Sequence, residues 1–148
     1  MEWLIETFEG MGTIRFGMTP EDVGIALGAP DRSRRGRRPG YFSEHRGTRS
    51  PIVRYRDNKV CEIEAFYDLG VVEFRGISLF QTDGKQVLRQ LEALNGGAMI
   101  SVGIVLFDQI GLTTGRLDEG ARTAHSVTAF SPGTWDNNIS DFEMISFE

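Results

Sequence analysis

Cysteine is almost missing from this chain of 148 residues: Cys61 stands alone. One thiol makes no intramolecular disulfide, and with only His45 and His125 beside it there is no set of Cys and His for a zinc site. Proline is also scarce, at five residues, and no apolar run is long. The longest, Ala98 to Phe107, is interrupted by Ser101 and Gly103 and falls well short of the ~20 residues of a spanning helix. It reads as one buried strand or a pair. The start, Met1-Glu2-Trp3-Leu4-Ile5-Glu6, has no positive stretch and carries acids among its apolar residues, so no secretory signal is expected and the cytoplasm is the expected compartment. Asn138-Ile139-Ser140 has the form of a glycosylation sequon, a meaning that an unexported chain would not use.

Catalytic motifs are missing as well. His45 and His125 stand far apart with no H-E-x-x-H pattern. Gly10-Met11-Gly12 has Arg15 where a dinucleotide fingerprint needs its third glycine, and Gly84-Lys85 follows Leu79 where a phosphate loop needs its first. There is no G-x-S-x-G elbow, and no pair of carboxylates is singled out for acid-base work. No catalytic residue, metal ligand or cofactor is therefore assigned, and Cys61 is given no role.

What is present is enough apolar material, 40% of residues, for a single core of ordinary size. Two helices are marked. Thr19-Pro20-Glu21-Asp22 has the cap, the N1 proline and the first-turn acids of a helix start; Val23, Ala26 and Leu27 give one apolar face, and Gly28-Ala29-Pro30 stops it. The second starts at Asp83, with Gln86 as its capping-box partner and Val87, Leu88, Leu91 and Leu94 on one face, and ends at Asn95-Gly96-Gly97. Elsewhere the period is two. Pro51–Arg56 and Val60–Phe66 flank the turn Asp57-Asn58-Lys59 as a hairpin, and further strands are predicted at 71–74, 99–106, 111–114 and 125–130. Six to eight strands without intervening helices predict an α+β fold with one mostly antiparallel sheet and the helices on one face.

Phe16, Val23 and Leu27 recur in spacing as Phe80, Val87 and Leu91, which suggests two α-β-β units, 14–70 and 71–135, followed by an acidic segment 136–148 that can form an edge strand. Gly12-Thr13-Ile14-Arg15-Phe16-Gly17-Met18-Thr19-Pro20-Glu21-Asp22-Val23, with Leu27-Gly28-Ala29-Pro30 after it, resembles the opening of small bacterial proteins built from such tandem units. These are similar to the β-lactamase inhibitor protein and, unit by unit, to the SmpA/OmlA lipoproteins. Gly76-Ile77-Ser78-Leu79-Phe80 resembles the entry to their second unit and Ser126 to Trp135 their closing strand. The resemblance implies the tandem fold and an inhibitor-type, noncatalytic role. Its motif residues are caps and core positions, which carry fold better than function. The single cysteine, and a start at which no secretory signal is expected, depart from the secreted, disulfide-bonded inhibitor.

Charge is distributed unevenly. Residues 1–70 are neutral, with 11 basic and 11 acidic residues, and the whole net charge of −5 lies in residues 71–148. From Asp136 onward Asp136, Asp141, Glu143 and Glu148 interleave with apolar residues and no basic one. Trp135, Asp136, Asp141, Phe142 and Glu143 are thus candidates for docking a basic protein partner, such as a toxin domain neutralised by a cytoplasmic immunity protein. The structural alternative is a last strand, 141–147, that buries Phe142, Met144 or Ile145. The opposite cluster, Arg32 to Arg38, holds five arginines in seven positions between Asp31 and Pro39-Gly40 and reads as a long solvated loop. Arg34, Arg35, Arg37 and Arg38 are the candidates for a small anionic ligand; nucleic acid is less expected, because no aromatics interleave with them.

Overall fold

The computed structural model describes residues 2–148. In chain order the strands are β1 (Glu2–Glu6), β2 (Gly10–Met11), β3 (Ile14–Arg15), β4 (Arg32–Arg35), β5 (Tyr41–His45), β6 (Ile52–Arg56) and β7 (Lys59–Phe66). After these come β8 (Val71–Phe74), β9 (Ile77–Ser78), β10 (Ala98–Ser101), β11 (Ile104–Phe107), β12 (Leu112–Gly115), β13 (Ser126–Phe130) and β14 (Glu143–Ile145). The helices are α1 (Pro20–Leu27), after β3, and α2 (Gly84–Asn95), after β9. The fold is α+β as expected, with both helices and the central hairpin where the sequence puts them.

Both helix starts are made by the residues that mark them. Thr19 Oγ1 accepts from the Asp22 N–H at 3.2 Å and Asp22 returns the bond to the Thr19 N–H at 3.1 Å, a complete capping box. At α2, Asp83 accepts from the Gln86 N–H at 3.1 Å, but among the described residues the Gln86 side chain makes no return bond, so only half of the expected capping box forms; Gly96 ends the helix with φ 82°. Val23, and Val87, Leu88 and Leu91, are the buried residues of the two helices.

The expected single sheet is in fact two. Nine strands pair in the order β14-β10-β11-β12-β13-β7-β6-β5-β4, every neighbour antiparallel. The strands before the helices do not join it. They form a five-stranded sheet, β3-β2-β1-β8-β9, in which β1 and β8 run parallel from Glu2↔Val71 to Ile5↔Phe74. A parallel pair needs a long crossover, and all of α1 and β4–β7 lies between these two strands. In the larger sheet α1 is followed by four antiparallel strands, β4–β7, and α2 by five, β10–β14, rather than the two of an α-β-β unit.

A shared core joins these elements: Trp3, Met11 and Ile14 from the smaller sheet, Tyr55, Ile63 and Phe107 from the larger, and the apolar faces of the helices, all nearly inaccessible. Two glycines of the rejected motifs are explained by this packing. A Cβ on Gly12, at φ 60°, would stand 2.8 Å from the Trp3 ring, and one on Gly84 would stand 1.7 Å from the Leu117 carbonyl oxygen. They permit close approach of backbone rather than binding phosphate. No helix among the described residues is long and apolar enough to cross a membrane.

The chain end crosses back to the larger sheet. Phe130, Trp135 and Phe142 meet edge to face, with centroids 6.4 and 5.7 Å apart, and β14 then pairs with β10 as an edge strand. Glu92 on α2 ties down the last few residues, accepting from Ser146 Oγ at 2.9 Å and the Phe147 N–H at 2.7 Å. None of Phe142, Met144 and Ile145 is fully buried, and Met144 is 75% exposed.

Candidate functional site

The arginine cluster is not a loop. Arg32–Arg35 form the edge strand β4, paired with β5 from Arg32↔His45 to Arg35↔Phe42, and only 36–40 turn. Gly36 N–H donates to the Tyr41 carbonyl at 2.7 Å, closing the hairpin. Hydrophobic patterning misses such a strand because every residue of β4 is exposed and polar. Arginines on an edge also hinder pairing with another chain.

Strand pairing carries this edge toward the chain end. Arg34 lies opposite Ser43, Ser43 opposite Arg54, Arg54 opposite Glu62 and Glu62 opposite Phe130, a row of side chains on one face of the sheet. At its far end stands Trp135, against Phe130. Between the arginine hairpin and the segment Ser131–Asn138 lies a groove of about 690 Å³. Arg34, Arg35, Arg37, Arg38, Arg54 and Arg56 all line it, together with the half-buried rings of Tyr41, Phe42 and Trp135.

Electrostatically the groove is one-sided. Glu62 is the one carboxylate of its lining, and burial pushes its pKa up, with Glu64 adding to the shift and Arg54 opposing it. Arg54 is bound to Glu64, outside the lining, and Arg56 lies over the Tyr41 ring at 5.9 Å. Arg34, Arg35, Arg37 and Arg38 make no ion pair or side-chain hydrogen bond among the described residues. His45 registers the field: burial first, then the charges of Arg32, Arg34 and Arg54, hold its pKa below the ordinary 6.5, with Glu64 acting the other way.

The groove holds little that could do covalent chemistry. The Cys61 thiol is pushed up to about 11 by burial and by Glu62, so it is protonated at neutral pH. Ser43 Oγ lies 3.0 Å from His45 Nε2, but among the described residues nothing bonds His45 Nδ1 to orient the ring as in a nucleophilic triad. His125 lines another cavity, where its Nε2 meets the Glu119 carbonyl at 2.6 Å. Among the described residues no cluster of three or more His, Cys, Asp or Glu could hold a metal.

Of the residues singled out in the sequence, Arg34, Arg35, Arg37, Arg38 and Trp135 come together at this groove. Asp136, Asp141 and Glu143 are exposed and do not line it, and Phe142 packs against Trp135. Sequence reasoning missed Tyr41, Arg54 and Arg56. The signal for the last two was the alternation of Arg54 and Arg56 with buried Val53 and Tyr55, which aims both arginines away from the core. No protein-family model matches the chain, and comparison with curated proteins and with solved structures finds no match either.

Proposed function

We propose that the protein is a noncatalytic binding module whose principal site is the arginine-walled groove, and that the ligand held there is anionic. The observation that carries this reading is four arginines in the lining of the groove that have no acidic partner among the described residues, beside a single lining carboxylate of raised pKa. Unpaired arginines offer planar forks that match phosphate and carboxylate oxygens, and nothing has to be broken to free them. A thermal-shift series with phosphate, citrate and inorganic triphosphate tests it. Binding to the folded state raises Tm by mass action, and no shift with any multivalent anion at low salt contradicts the proposal.

The tandem-unit reading belongs with this proposal. In each half a short hairpin precedes a helix and a run of four antiparallel strands comes after it, β4–β7 in the first and β10–β13 in the second, which adds the edge strand β14; the two runs meet at β7 and β13. That parallel order supports a duplicated unit, as the resemblance implies.

A second reading is a cytoplasmic immunity or inhibitor protein that covers the basic groove of a toxin. It is favoured by the exposed carboxylates of Asp136, Asp141 and Glu143 in the same terminal segment as the exposed Met144 of the edge strand β14, charged groups for steering and an apolar group for anchorage. Co-purification from the native host at low salt, with Asp136→Lys/Asp141→Lys/Glu143→Lys as control, tests it. A partner that the variant retains equally well, or no partner at all, removes this reading.

A further inference from the structure

We infer that the anion taken by the groove is a nucleoside phosphate, its phosphates on the arginine hairpin and its base against the aromatic lining. The inference rests on the anionic-ligand reading above and adds the chemical class.

Charge density argues for phosphates. Arg34, Arg35, Arg37 and Arg38 fall within five positions, at most about 13 Å of extended chain at ~3.3 Å per residue. With a screening length of about 8 Å at physiological ionic strength, a ligand near the middle of that span, within about 7 Å of either end, feels all four charges. An extended acidic peptide turns successive carboxylates to opposite faces and meets such a field with few of its charges. A di- or triphosphate concentrates several charges on adjoining phosphoryl groups, each suited to a guanidinium fork.

The rest of the lining argues for an attached ring. Simple anion sites need only donors, whereas this groove is also lined by Tyr41, Phe42 and Trp135, all partly accessible. Tyr41 and Phe42 belong to the arginine hairpin, and Trp135 to the segment facing it. Aromatic faces beside guanidinium groups accept any base by stacking. The volume, about 690 Å³, lies in the range of sites for small ligands and cofactors. Ser43, Ser131, Thr134 and Asn138 supply neutral hydrogen-bonding groups in the same lining.

Isothermal titration of the full chain at low salt with ATP, inorganic triphosphate, adenosine and a short oligouridine tests the assignment. The expected result is ATP binding about tenfold or more tighter than triphosphate, with adenosine weaker than both. Arg34→Ala/Arg37→Ala/Arg38→Ala weakens ATP binding by about tenfold or more at unchanged Tm, since these side chains are exposed. Tyr41→Leu, which keeps bulk without a ring, narrows the preference for ATP over triphosphate. Equal affinity for ATP and triphosphate overturns the nucleoside assignment and leaves the anion site standing. Oligouridine binding tighter than ATP overturns it in favour of a nucleic acid strand. No binding of any probe at about 1 mM overturns both readings.

Discussion

Behind the groove lies a buried charge pair whose disruption has a calculable outcome. Arg46 has no exposed side-chain surface and Glu44 has 9%. Glu44 Oε1 accepts from Arg46 Nη2 at 3.3 Å and from the Tyr55 hydroxyl at 2.6 Å, and Arg46 Nε donates to the Gly28 carbonyl at 3.1 Å, just past α1. Burial and the bond to Glu44 push the Tyr55 hydroxyl strongly upward, so it remains a donor. Arg46 Nη1 has no partner among the described residues, so the arginine already depends on Glu44 for compensation. In Glu44→Gln the amide still accepts from Tyr55, while Arg46 becomes a buried charge without a counterion. Breaking such a pair costs about 3–5 kcal/mol. At about 2–4 °C per kcal/mol for a chain of this size, Tm should fall by roughly 10 °C. Adding Arg46→Met removes the orphaned charge and should recover more than half of the loss, because apolar replacement of a buried pair is often near neutral. Urea denaturation of wild type, both singles and the double measures it. The reasoning fails if Glu44→Gln loses less than about 1 kcal/mol, or if the double variant is less stable than either single. Tyr55 stacks on Phe42 at 4.6 Å, so the same pair also supports the wall of the groove.

Other expectations are simpler. The pKa of Glu62 is raised in the folded state, so its contribution to stability is present below the unfolded carboxylate range and lost as pH rises through the folded value; Glu62→Gln should gain stability at pH 8 and none at pH 4, read from denaturation midpoints. Val102 is 98% exposed at φ 48° in the two-residue turn between β10 and β11, a conformation that is poor for a β-branched side chain. With Gly103 at φ 79°, Val102→Asn creates the Asn-Gly sequence that this turn prefers and should add about 1 kcal/mol by urea denaturation. Gly84→Ala sets a Cβ against the Leu117 carbonyl and should cost at least about 2 kcal/mol in the same assay.

How much of this was legible in the sequence depended on which physical signal each element carries. The helices were, because caps and stops are local: Thr19, Pro20 and Asp83 act within one turn of where they stand. So were the strands with one buried face, such as Ile52–Arg56 and Val71–Phe74. The two-residue strands β2, β3 and β9 were not, since they are too short for a period, and β4 was not, since it has no buried side. β1 was readable and passed over: Trp3 and Ile5 alternate with exposed Glu2, Leu4 and Glu6, but its partner β8 is nearly seventy residues away. The division into two sheets is set by that long-range parallel pairing, which no local pattern contains. The candidate site was legible as an inventory and not as a place. Trp135 and the arginines were both singled out, for different partners, and only the row from Arg34 through Ser43, Arg54 and Glu62 to Phe130 brings them to one groove.

The central claim, that the arginine groove holds an anion, is tested most directly at His45. Its imidazole lines the groove and its pKa is depressed by burial and by Arg32, Arg34 and Arg54. NMR titration of the His45 imidazole, with and without saturating inorganic triphosphate, should find its pKa raised as the bound charge offsets the arginines. A His45 pKa that stays where it was, or falls, while triphosphate binds would place the anion elsewhere and contradict the account.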